Sequence, residues 1–282
     1  MKKLFIIALT VAAMFSVGGF ASAGVPLNNL EGVGGVAFNP LAYPAGQPFE
    51  KTDSEQNESL SWKEVVSKPQ FGGWYVSLGK ANIDWTSVGL ADTLFKRLEL
   101  SYSHEAVAIS NSETRQKNNL GAKFLVLPEN WQDNKFVPAF SVGSVFKRTG
   151  NVGLGVNASG SDYYAVATKL ITQLPKPVLL SAGVLSTQGH VTGVLGYDDK
   201  RDTTAFGNID ILPTKNTAIG FEYKQGAQFA TFKNANYWET HLAWFASKEL
   251  TLVLAYVNTG DRKSSAKSGF ADGVVLSTQY AF

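Results

Sequence analysis

The residues best suited to proton transfer or metal ligation in this 282-residue chain are three histidines, His104, His190 and His241, and their spacing suits neither role. No two stand four apart, as a metal site on one helix face requires. A lipase working at a lipid boundary needs a serine, a histidine and an orienting group held together, and no serine here sits in a nucleophile elbow. The chain therefore reads as a non-enzyme. The glycines of VGGVAF (33–38) and TGNVGLG (149–155) lack the spacing of a phosphate-cradling loop and read as packing and loop glycines. Asp198 and Asp199, beside Lys200 and Arg201, offer a divalent cation too few ligands, because adjacent acids point apart; a solvated loop tip is expected. With no cysteine there is no thiolate metal or redox site and no disulfide framework. Neither a metal nor a cofactor is expected.

A second group of charged residues is defined by periodicity. Glu99, Lys123, Lys169, Glu222, Lys224, Glu239 and His241 are expected to project into one lumen, as the polar alternates of strands whose other face is apolar. Leu98, Leu100 and Tyr102 oppose Glu99, Ser101 and Ser103; Ile219, Phe221 and Tyr223 oppose Gly220, Glu222 and Lys224; Trp238, Leu242 and Trp244 oppose Tyr237, Glu239 and His241. Charges of both signs facing each other in a narrow barrel can close it with ion pairs, whereas a wide pore leaves them solvated.

The elements that must position these residues are twelve alternating segments: 72–79, 84–91, 97–109, 118–127, 136–148, 162–172, 178–189, 203–212, 217–225, 236–246, 250–259 and 273–282. Most approach the nine to eleven residues of a tilted bilayer-spanning strand. Read back from the C-terminus, the connections alternate long (260–272, 226–235, 190–202, 150–161) and short (247–249, 213–216, 173–177), as in a barrel with external loops and periplasmic turns. Near the N-terminus the alternation weakens at 80–83 and 128–135. The predicted fold is an all-β, antiparallel transmembrane β-barrel of about twelve strands (residues 72–282), with fourteen the alternative if 32–43 and another segment join the wall. Trp74, Trp85, Trp238, Trp244, Tyr102, Tyr256, Tyr280 and Phe282 are expected in aromatic belts at the ends of the apolar band.

Residues 1–23 carry Lys2 and Lys3, an apolar run and Ala21-Ser22-Ala23, the pattern of a cleaved secretory signal peptide. Without its two lysines the chain has 23 basic and 23 acidic residues, so nothing suggests nucleic-acid binding. Residues 24–71 form an N-terminal segment, glycine-rich and then acidic, expected as a plug, an extra strand or a periplasmic appendage. Within it 44–61 reads as an exposed loop and 62–67 as a short helix.

The last ten residues, GVVLSTQYAF, alternate strictly and end on a bare aromatic. This ending resembles the C-terminal assembly signal of bacterial outer-membrane barrels, carried here by Leu276, Tyr280 and Phe282; the resemblance implies barrel-assembly machinery and outer-membrane lipid as partners. The chain also resembles a family of Gram-negative outer-membrane-barrel-like proteins of uncharacterised function, through LFKRLELSYS (94–103), NNLGAKF (118–124), SDYYAVATKL (161–170) and LAWFASKELTLVLAYVNTG (242–260). That family supplies no catalytic residues. The expected location is the outer membrane, and the expected role is passage of a small solute or apolar molecule. The alternative is a structural or export-associated envelope protein with a closed lumen.

Overall fold

A computed structural model of the chain describes residues 27–46, 65–110, 112–153, 155–230, 232–260 and 269–282. The leader at 1–23, the acidic stretch 47–64 and with it the first half of the expected helix at 62–67 lie outside the described residues.

Twelve strands form the wall: β1 Gln70–Leu78, β2 Ile83–Leu94, β3 Leu98–Ile109, β4 Arg115–Leu127, β5 Ala139–Thr149, β6 Ser159–Ile171, β7 Val178–Gly189, β8 Tyr197–Thr214, β9 Thr217–Lys224, β10 Tyr237–Phe245, β11 Leu250–Asn258 and β12 Asp272–Ala281. Each pairs antiparallel with its chain neighbours, and β12 closes on β1 from Gln70↔Ala281 to Ser77↔Val274. Closure leaves no unpaired edge in the wall, which is what lets a sheet stand in a medium without hydrogen-bonding solvent. Beyond the strand, Phe282 N–H donates to the Pro69 carbonyl at 3.1 Å, tying the terminus to the start of the barrel.

The period of two sorts residues strictly by face. Leu100, Tyr102, Leu120, Phe124, Ile219, Leu254, Leu276 and Tyr280 are exposed on the outside, whereas Glu99, Ser101, Lys123, Glu222, Glu239 and Gln279 are buried inside. At the end carrying the long loops, here the loop end, β1 and β2 reverse this pattern. Trp74, Val76, Leu78, Ile83 and Trp85 are buried within, while Asp84 and Thr86 face out. Outside at that end, Tyr75 Oη donates to Asp84 at 2.8 Å, and Tyr256 Oη donates to Asp272 at 2.7 Å. β8 begins at Tyr197, six residues before the predicted start, because Tyr197 pairs with Gly189 beyond a bulge and lengthens the wall.

Candidate functional site: a plugged lumen

Residues 27–46 do not join the wall; they fill the lumen. The segment enters near Leu27, which packs with Leu212 and Phe245 at the turn end, rises to Leu30, Ala37 and Phe38, and returns to Gly46 beside Ser67 and Gln70. Isolated bridges, Asn28↔Gly34 and Gly35↔Pro40, make it a compact knot rather than a strand. Glycine permits the close approach. Gly32 has φ +83°, and a Cβ there would stand 2.9 Å from Ser103 Cβ and the Tyr102 carbonyl oxygen; at Gly34 it would meet the Glu99 carboxylate at 2.7 Å.

The plug's backbone polarity is satisfied partly within the segment, as where the Leu30 N–H donates to the Ala37 carbonyl, and partly by wall side chains. Glu222 accepts from the N–H groups of Ala37, Phe38 and Asn39 at 3.2, 3.0 and 2.9 Å, and Glu99 accepts from Gly34 at 2.9 Å and Ala45 at 2.6 Å. Lys123 donates to the carbonyls of Gly34 and Tyr43, and lies 2.7 Å from Glu99. Ser87, Ser141 and Thr93 donate to the carbonyls of Leu30, Ala42 and Ala45. A buried chain without its own sheet ladder must find such partners, since each orphaned backbone group costs as much as a lost hydrogen bond.

One plug side chain locks into the wall by charge. Glu31 lies 2.9 Å from Lys117 and also pairs with Lys147; these lysines in turn meet Glu105 at 3.0 Å and Asp162 at 2.6 Å. Deeper in the wall, the His241 ring has Glu239 2.7 Å from Nδ1 and Asp210 2.7 Å from Nε2, an arrangement suited to a ring protonated on both nitrogens. Among the described residues seven carboxylates are buried (Glu31, Glu99, Glu105, Asp162, Asp210, Glu222, Glu239) against four lysines (Lys117, Lys123, Lys147, Lys224), so the lumen carries an acidic excess.

The loop end is capped by different means. The turn at 190–196 folds inward, burying Val191 and Val194, and Val191 N–H donates to Asn234 Oδ1 at 2.7 Å. Val191 and Thr192 sit at φ +47° and +55°, a left-handed conformation that β-branched residues adopt only when neighbours hold them there. His190 stacks on Phe232 with ring centres 4.6 Å apart, and its Nε2 lies 3.6 Å from Asp198. Burial lowers the His190 pKa below its ordinary value, although Asp198 partly opposes the shift. Between cap and plug lies a cavity of about 50 Å³, lined chiefly by Leu30, Phe38, Val76, Trp85, Val191 and Phe270.

Six of the seven expected lumen residues are buried inside: Glu99, Lys123, Glu222, Lys224, Glu239 and His241. Lys169 is not among them. It shares the outward parity of exposed Tyr163 and lies at the turn end, where it pairs with Glu129 at 3.0 Å and donates to Asn130 at 2.7 Å. The aromatic expectation needs correction at Trp74 and Trp85, both lumenal: Trp74 Nε1 donates to the Asn28 carbonyl and Trp85 Nε1 to Glu105, each at 2.9 Å. Tyr102, Trp244, Tyr256, Tyr280 and Phe282 face outward, as does half-buried Trp238.

Sequence reading missed Glu31, Glu105, Lys117, Lys147 and Asp162. The parity of Lys147 against exposed Phe146, and of Lys117 against Leu120, was the available sign. Asp198 and Asp199 turn to separate partners, the Lys200 N–H and the Asn157 side chain, and no group of residues able to hold a metal occurs among the described residues. On the outer face His104 Nδ1 lies 3.0 Å from Asn118 Oδ1, but the same-face residue two positions on is Ala106. No hydroxyl bonds any of the three histidine rings among the described residues.

Residues 25–279 match the model of a family described as "Protein of unknown function (DUF3034)". The chain belongs to this family. No match to the sequence was found among curated proteins. Among solved structures, the chain is similar to a KdgM porin, at 11% identity over 77% of this chain and 99% of that one, with a TM-score of 0.52. It is also similar to a KdgM porin in complex with disordered oligogalacturonate, at 12% identity over 76% and 99%, with a TM-score of 0.54. At these identities the likeness is one of fold.

Proposed function

We propose that this DUF3034 protein is an outer-membrane channel, closed at rest by residues 27–46, that passes a small solute or apolar molecule when the plug shifts. The observation that carries the reading is how the plug is held. It enters and leaves through one end and is bound by wall side chains rather than wall strands, so it can move without breaking the closed ladder. The outward apolar face, closed without an edge, is what a bilayer requires. The KdgM likeness supports a channel-type wall, but the acidic excess inside argues against an acidic sugar polymer as cargo. The test is planar-bilayer recording. The full mature chain is expected to be silent, and one lacking residues 24–46 to conduct, with heat-modifiable gel migration showing that the shortened barrel folds. The Glu31 ion-pair lock favours a second reading, an envelope protein whose lumen never opens; silence of the folded, shortened barrel would establish that reading and end the first.

The C-terminal strand is proposed as the part read by the barrel-assembly machinery, through Leu276, Tyr280 and Phe282, which lie together on the outer face. Tyr280 and Phe282 contact edge to face with ring centres 5.1 Å apart. Deleting Phe282 is expected to cut outer-membrane levels strongly in fractionated cells, yet to cost the refolded barrel less than the roughly 3 to 5 kcal/mol of a buried aromatic. Normal levels of the truncated protein would remove the assembly role.

A further inference from the structure

The cavity between cap and plug is apolar in its walls but not in all of its lining. Four polar groups line it: Tyr237 Oη, Glu239 Oε2 and Thr192 Oγ1, none of them with a hydrogen bond among the described residues, and the Lys224 ammonium. Three belong to side chains buried beyond nine-tenths, at 7% exposure for Lys224, 5% for Tyr237 and 0% for Glu239. They also share one patch of wall. Lys224 is the cross-strand partner of Tyr237, and Glu239 lies two residues along β10 on the same face. Buried polar atoms in folded proteins are rarely left unmatched, and a cluster of them in an apolar cavity is the usual form of a ligand site.

We infer that this cavity binds a small apolar molecule bearing a single uncharged hydroxyl, of the alcohol or phenol class. The apolar body would lie against Leu30, Phe38, Val76, Trp85 and Phe270, and the head against Lys224, Tyr237 and Glu239. A hydroxyl fits because one oxygen both accepts from an ammonium and donates to a carboxylate. An anionic head is disfavoured, since buried carboxylates already outnumber lysines and Glu31 and Glu239 line the same space. A cationic head would meet Lys224. The cavity is about 50 Å³, whereas an engineered apolar cavity that takes benzene measures about 150 Å³. A ring therefore enters only with displacement of cap residues such as Phe270 and Val191. The inference deepens the channel reading by naming a class of cargo and rests on it only for onward passage. Binding to the closed barrel is a separate measurement from conductance.

Isothermal titration of the full mature protein in lipid nanodiscs, with empty nanodiscs as reference, tests it using phenol, its near-isostere toluene, and benzoate. Phenol is expected to bind about tenfold or more tightly than toluene, the scale of a hydrogen bond to a charged group, and benzoate least. Lys224→Met should erase the preference for phenol while leaving toluene binding in place. Tyr237→Phe, which removes only the hydroxyl, should weaken phenol several-fold. Ala37→Leu, which fills the cavity from the plug side, should abolish both without changing heat-modifiable migration. Equal binding of phenol and toluene that Lys224→Met does not alter, preferential binding of benzoate, or no saturable binding to wild type would each overturn the inference. Phenol binding by a barrel that stays silent after plug deletion would uphold this site and refute only the channel.

Discussion

The plug and the cap close the same lumen by opposite chemistry. The plug is glycine-rich backbone held by carboxylates, lysines and hydroxyls of the wall, with Glu31 as its charged anchor. The cap is held by apolar burial, with Val191, Val194 and Phe270 packed on Leu78, Ile83 and Val107, and by a stacked histidine. Directional contacts fix one position and fail together once the segment shifts, because every buried partner is then left unpaired. Apolar contacts are non-directional and tolerate sliding. The difference points to the plug as the element with two discrete positions and to the cap as the element that yields gradually to an entering molecule.

The largest expected effect is at Glu31. Glu31→Ala leaves Lys117 and Lys147 without their shared plug partner, and breaking a buried pair from one side costs about 3 to 5 kcal/mol. Openings should appear in planar bilayers without any deletion, and the urea midpoint of the full chain should fall. Phe270→Ala should cost about 3 kcal/mol, the low end of the range for a buried aromatic. It should raise hydrogen exchange at 190–196 while the barrel remains electrically silent. If Phe270→Ala conducts and Glu31→Ala does not, the assignment of gate and cap is reversed.

The smallest effect is one of pH. Burial lowers the His190 pKa from 6.5, so the folded cap binds fewer protons than the opened one. The cap's stability is therefore fully present above about pH 6.5 and declines as pH falls through the window below it, with Asp198, 3.6 Å from Nε2, partly opposing the shift. Hydrogen exchange at Val191 and Val194 should accelerate between pH 7 and pH 5, and His190→Phe should flatten the profile. An unchanged profile in wild type would show that the cap does not sense the proton.

By itself the sequence determined the wall. Alternation at 98–103, 219–224 and 237–244 is a local property of a pleated chain. It was enough to give twelve strands, an outward face carrying Leu100, Phe221 and Leu276, and a lumenal Glu99, Glu222 and Glu239. It did not place Trp74 and Trp85, because an aromatic ring suits a membrane interface and an apolar lumen equally well, and only the exchange of polarity between the two faces at the loop end of β1 and β2, with Asp84 and Thr86 outside, distinguishes them. Lys169 was misplaced for the related reason that, at a turn end, a charge on the outward face meets water and not lipid. The contents of the lumen were decided by tertiary structure alone. Glu31 meets Lys117 and Lys147 across 86 and 116 residues of chain, and Asn28 meets Gln279 across 251. No local pattern encodes such pairings, since they exist only after the barrel has closed around the segment and removed the water that would otherwise solvate each charge.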